Sequence, residues 1–225
     1  MKKNFMIWLA ISLTVGPVVC KSQTMAVTED GDTIYVYDNG TWSFEQLEEM
    51  PELANDLAFL SAEVSLDTLT QPFEVSPDAK KQVENARGQF VIKYDDKEWK
   101  RVPPATLNDA AEFAFQSKKS DIWCIVISEE TSIAHDKLFL VAKNTMKQNT
   151  GSEPEIIKTE LRTVNGHEVV RGVMKADFSG IPFVFDTFYF SNELGSVQFT
   201  AWTGDGVWAK NEEKILALLH GFMVQ

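Results

Sequence analysis

EIIKTELRTVNGHEVVRGVMKADF, residues 155–178, is the stretch on which the fold turns. Asn165-Gly166 lies at its centre. An Asn-Gly pair accepts the left-handed backbone angles of a two-residue type I′ turn, whose twist matches that of a hairpin. The flanking residues are β-branched and alternate in character. Val170, Met174, Ala176 and Phe178 share one face of the return strand, and Arg171, Lys175 and Asp177 share the other. Two antiparallel strands, residues 155–164 and 167–178, follow from this pattern.

Forward of this hairpin the signals repeat. Ser179-Gly180 turns the chain into an aromatic-rich strand at residues 182–191. A turn at 192–195 leads to a strand at 196–203. Val197, Phe199 and Ala201 fall on one face there, with Gln198, Thr200 and Trp202 on the other. Gly204 and Gly206 read as a loop that carries Trp208. Residues 211–222 read as a closing helix that buries Ile215, Leu216, Leu218, Leu219 and Phe222.

Backward of the hairpin, residues 133–148 have helical spacing, with Thr131 or Ser132 as the cap. The apolar face is Ala134, Leu138, Val141, Ala142 and Thr145. Strands are expected at 88–94, 99–102, 111–116 and 122–128. Strands, helix, four-stranded meander and helix make residues 80–225 an α+β domain. Its mostly antiparallel sheet is flanked by two main helices.

The remainder of the chain divides by composition. Lys2 and Lys3, the apolar run of residues 5–19 and the polar stretch after Cys20 have the three parts of an export signal. Cys20 at −3 and Ser22 at −1 place the cut so that the mature chain starts at Gln23. A second reading makes Cys20 a lipid-anchored first residue, although Val19 stands where such signals usually have a small residue. A third leaves the segment as an uncleaved anchor. Residues 23–44 read as a small β-meander, with strands at Thr33–Tyr37 and 41–44 around turns at 29–32 and 38–40. Residues 45–79 carry nine acids and no Lys or Arg, and read as a solvated acidic linker.

The net charge is −12, and loss of the three lysines in residues 1–22 takes it to −15. That sign repels phosphate backbones and argues against a nucleic-acid partner. Nothing after residue 22 is long and apolar enough to span a bilayer. Cys124 lies in an apolar strand with no basic neighbour in sequence, so it reads as a buried hydrophobe rather than a nucleophile. His135, His167 and His220 have no ligand-like spacing, and neither a nucleophile elbow nor a nucleotide-binding glycine motif is present. No catalytic, cofactor or metal residue is therefore expected. Among the aromatics, Trp202 and Trp208 are the candidates for a binding surface, with Gln198 and Thr200 beside Trp202.

A family resemblance agrees with this reading. FVIKY (90–94) with Trp99, IVISE (125–129), VNG (164–166), GIPF (180–183), FYFSN (188–192), GSVQ (195–198) and LHG (219–221) occur in an order that resembles the PsbP-like exported domain. That family is named for an extrinsic subunit of the photosynthetic oxygen-evolving complex. DNGTW (38–42) resembles a short β-unit found after bacterial signal peptides. The resemblance implies an αβα sandwich with a binding or assembly role in the envelope, periplasmic or extracellular, for a protein partner or a small ligand. An apolar-ligand carrier and a hydrolase with an unrecognised site are the alternatives.

Overall fold

The Asn165-Gly166 turn forms as its chemistry requires, with φ of 48° at Asn165 and 86° at Gly166. The computed structural model describes residues 58–225 and, as backbone only, the segments 23–27, 33–37 and 42–43. The proposed export signal, the turns of the N-terminal meander and the first part of the acidic linker lie outside the described residues. The chain divides into two units, with a boundary between Ser61 and Ala62.

The N-terminal unit holds β1 (Gln23–Val27), β2 (Thr33–Tyr37) and β3 (Trp42–Ser43) as one antiparallel sheet in chain order. Met25 pairs with Tyr35, and Tyr35 with Ser43.

The larger unit begins with β4 (Asp67–Thr68), β5 (Lys81–Glu84), β6 (Phe90–Tyr94), β7 (Trp99–Val102), β8 (Phe113–Ser117) and β9 (Trp123–Glu129). Helix α1 (His135–Thr150) follows, then the meander β10 (Glu155–Val164), β11 (His167–Phe178), β12 (Ile181–Asn192) and β13 (Gly195–Gly204). Helix α2 (Asp205–Leu219) and β14 (Phe222–Val224) close the chain. The main sheet runs β4-β10-β11-β12-β13-β9-β8-β7, and a second sheet runs β14-β6-β5. All pairs are antiparallel except β4 on β10 and the single Phe73–Val164 bridge.

Both faces of the main sheet are covered. One face packs against α2 and the second sheet through Phe188, Phe199, Val126, Phe90, Ile92, Ile215 and Leu218. Burying such side chains contributes roughly 1.5–3 kcal/mol each. The other face receives α1, and Gly172 makes its seat. A Cβ on Gly172 would lie 2.6 Å from the Phe139 ring, so only glycine lets that ring rest on the strand. Phe139 then meets Tyr189 edge-on.

Several expectations shift. Helix α1 starts at His135 with Ala134 at its cap, because the Ser132 hydroxyl bonds instead to that of Ser191 at 3.1 Å. Helix α2 begins at Asp205, directly after β13, so Gly204 and Gly206 belong to its start rather than to a loop. Trp208 is therefore helical. The chain leaves α2 before Phe222, which starts β14. Gly221 makes this exit possible: Lys93 N donates to its carbonyl at 2.9 Å, and a Cβ there would sit 1.9 Å from Lys93 O. The second half of the acidic linker also differs. Residues 65–75 within it run along the edge of β10, fastened by backbone bonds and the Phe73 ring, while most of their side chains stay exposed.

Candidate functional site

Lys158, Glu160 and Arg162 alternate along one face of β10, and the register puts Arg171 directly opposite Glu160. One strand further, β12 carries Asp186 on the same face, and α2 lowers Glu212 onto them. The result is a charged cluster inside the domain. Arg171 is fully buried. It donates from Nε to Asp186 Oδ1 at 2.8 Å and from Nη2 to Asp186 Oδ2 at 2.6 Å. It also donates from Nη1 to Glu160 Oε2 at 3.1 Å and from Nη2 to Glu212 Oε1 at 2.8 Å. Arg162 reaches Glu160 at 2.7 Å, and Lys158 reaches Glu212 at 2.5 Å. Three cations thus meet three carboxylates.

Bidentate, charge-assisted bonds of this kind are among the strongest a protein makes. They offset the cost of taking Arg171, Asp186 and, in part, their four partners out of water. Burial opposes the Arg171 charge, but its Asp186, Glu212 and Glu160 partners outweigh that and hold the guanidinium charged. Burial likewise raises the Glu212 carboxyl, yet the Lys158 and Arg171 donors prevail and hold it below the usual range. His220 borders the cluster. Burial first, then the charges of Arg162 and Arg171, push its imidazole down to about 4. The side-chain partners of this group are one another and the rings of Phe73, Phe188 and Trp208. Its inner members bond to one another, while Lys158 and Glu212 at its rim keep partial exposure.

Sequence reasoning missed this cluster. Alternation puts Arg171 on one face with Lys175 and Asp177, but α2 lowers Glu212 onto Arg171 while Asp177 stays exposed. Opposite charges at register positions on adjacent strands, Glu160 and Arg171, were the available signal.

The four anticipated binding residues do not form an exposed surface. Trp202 is 5% exposed, stacked between Trp123 and Phe185 at 6.5 and 6.3 Å. Gln198 and Thr200 are buried beneath α1, because the face they share with Trp202 is the one that α1 covers. There they line a cavity of about 10 Å³ with Ala142, Met146, Met174, Phe185, Thr187 and Tyr189. That is room for one water. Gln198 Oε1 is buried in this region without a protein donor. Trp208 lies apart from the other three, on α2. It is half-buried, with the Lys158 ammonium 5.3 Å from its ring centre and its indole N–H enclosed without an acceptor.

The remaining reactive groups are separate from one another. Cys124 is fully buried, and burial, followed by the Asp186 charge, pushes its thiol well above the ordinary range. His167 meets the edge of Phe190 at 6.4 Å. Among the described residues, no cluster of three or more His, Cys, Asp or Glu is arranged to hold a metal, and no helix is long and apolar enough to cross a membrane. A polar groove of about 420 Å³ at the β7–β8 end is lined by Lys100, Lys118, Lys119, Ser117, Ser120, Gln116 and Asp121. Its lysines are partly engaged: Lys118 donates to the Asp96 carbonyl and Lys119 pairs with Glu98.

No protein-family model matches the chain, and no curated protein matches it. Solved structures do. The cyanobacterial PsbP of Synechocystis, CyanoP, superposes with a TM-score of 0.50 at 13% identity, covering 70% of this chain and 99% of its own. LpqN of Mycobacterium tuberculosis, described as involved in cell envelope biogenesis, gives 0.45 at 12% identity, covering 64% and 90%. A Bacteroides thetaiotaomicron protein gives 0.43 at 11% identity, covering 65% and 49%. The first of these likenesses establishes a PsbP-like fold for this chain.

Proposed function

We propose that this chain is an exported, non-catalytic binding or assembly module of the bacterial cell envelope. The observation that carries the proposal is the closed charge cluster. Its carboxylates and cations pair with one another, and Arg171 and Asp186 at its centre are fully buried. A catalytic site instead presents its acid, base or nucleophile within bonding reach of a substrate atom. The PsbP-like fold and the three-part leader sequence support the rest of the reading.

The test has two arms. The chain is expressed with its native N-terminus in a bacterial host, the cell is fractionated, and the mature terminus is identified by mass spectrometry. Recovery outside the cytoplasm beginning at Gln23 is expected. An intact Met1 terminus in the cytoplasm would overturn export. The purified mature chain is also screened for ester, phosphate, peptide and glycoside hydrolysis. Turnover that disappears on substitution of a single His, Ser or Asp would overturn the non-catalytic role.

A further inference from the structure

Phe73 lies on His220 with ring centres 4.7 Å apart and planes 19° from parallel, and the Arg162 guanidinium carbon is 4.6 Å from the Phe73 ring centre. Phe73 is the anchor of a segment that is otherwise lightly held. Asp67 and Thr68 pair in register with β10, and Phe73 makes a single bridge to Val164. Beyond them, Leu69 N donates to Leu161 O at 2.9 Å, and Phe73 N to Thr163 O at 2.8 Å. Asn165 returns two bonds, from its N–H to Phe73 O and from the Val75 N–H to its Oδ1, each at 2.8 Å. The Thr159 hydroxyl donates to Ser65 O at 2.7 Å. This segment covers what would otherwise be the open edge of the main sheet.

The ring beneath Phe73 must be neutral. His220 Nε2 is 3.3 Å from Arg162 Nη1, and a guanidinium can only donate. Nε2 is therefore the acceptor, with a free lone pair. A protonated imidazole carries N–H groups at both positions and would set one against the Arg162 N–H. It would also add a positive charge to a crowded place. The charges that act on it are Arg162 from β10 and Arg171 from β11, the Phe188 ring of β12 lies beside it, and Glu160, Lys158, Asp186 and Glu212 are the partners of those arginines and of one another. From the covering segment the uncharged ring of Phe73 lies on it, and the segment's two acids, Asp67 and Glu74, are exposed. The carboxylates in this group are already engaged by the arginines and Lys158.

We propose that residues 65–75 form a releasable strap over the edge of β10, latched by neutral His220 and opened by its protonation. Opening lets water reach the imidazole and separates it from the Phe73 ring. A histidine in water titrates near 6.5, whereas the latched His220 is pushed down to about 4. That interval is a factor of roughly 300 in proton affinity, the ceiling on how far protonation favours release. The strap is held at neutral pH and released progressively as the pH falls from about 6.5 towards 4. Release bares the β10 backbone from Thr159 to Thr163, a row of unpaired donors and acceptors suited to strand addition.

Backbone amide exchange measured by NMR on the full chain, corrected for the intrinsic effect of pH, tests this. The amides of Leu69, Phe73, Val75 and Asn165 are expected to open more as the pH is lowered from 7 to 4.5, while those of β12 and β13 hold. In His220→Gln the pH response of the strap amides is expected to vanish. In Phe73→Ala, the His220 imidazole is expected to titrate closer to 6.5 than in the parent. Strap amides that ignore pH, an unchanged response in His220→Gln, or a His220 titration unmoved by Phe73→Ala would each overturn the strap. If His220→Gln does not fold, the Phe73→Ala titration decides alone.

Discussion

Arg171 is the residue on which the domain's interior electrostatics depend. It has no exposed surface and supplies donors to three carboxylates. Arg171→Met leaves Asp186 buried without its cation, and a loss of about 3–5 kcal/mol is expected in urea denaturation. Pairing it with Asp186→Leu removes both charges, and most of that loss is expected to return. A double variant as unstable as the single one would mean that the pair contributes net stability. At this scale the sequence was legible for apolar residues and misleading for charged ones. Val170 and Met174 went where alternation put them. Arg171 also took the face alternation gave it, but a period of two says which residues share a face, not whether that face is wet. Trp202 failed for the same reason: its neighbours Gln198 and Thr200 suggested solvent, but α1 lies over those two, and Trp123 and Phe185 stack on Trp202.

Among the elements, the meander from β10 to β13 was readable almost to the residue, since each turn carries its own chemistry. Asn165-Gly166 and Ser179-Gly180 supply the positive φ values that such turns require. Helix α2 was read six residues short at its start. Glycine is a poor helix former, and Gly204 and Gly206 hid a first turn that Asp205 favours through its charge near the helix N-terminus. This makes a prediction for Gly206. Nothing lies within 4 Å of where a Cβ would stand, and its φ is not positive. Gly206→Ala is expected to stabilise the domain by about 0.5–1 kcal/mol, seen as a raised melting temperature. A lowered one would mean that the turn is not helical. The short strands β5 and β14 carried too little pattern to be read: β5 has one buried apolar residue among exposed polar ones, and β14 has three residues.

For the whole molecule, the α+β class followed from the order of elements, and the layering from their amphipathic faces. The strap was not legible, because acidic composition describes solubility and says nothing about one aromatic anchor. Acid is expected to destabilise the fold. Unfolded His220 takes its proton near 6.5 and folded His220 near 4, so the unfolded state binds more protons between these values. The histidine contribution is therefore complete above about 6.5 and is lost as the pH falls to about 4. Glu212, held below the usual carboxylate range, acts in the same direction at lower pH, its contribution lost as its carboxyl protonates. Urea midpoints at pH 7, 5.5 and 4.5 are expected to fall in that order, and His220→Gln to flatten the first step. A midpoint that rises on acidification contradicts the sign.

The turn at Asn165 also bears on the molecule's chemical lifetime. In an Asn-Gly pair the glycine nitrogen can attack the side-chain amide carbon and release ammonia, closing a cyclic imide that water then opens to an aspartate or an isomerised backbone. In this fold the amide is occupied: Nδ2 donates to His220 O at 2.8 Å and to Phe222 O at 2.7 Å, while Oδ1 accepts from Val75. A carboxylate in its place would face two carbonyl oxygens. Ageing at this position would therefore loosen the strap, the end of α2 and β14 together. Peptide mapping of protein stored warm, folded and in urea, is expected to find Asn165 converted more slowly in the folded chain.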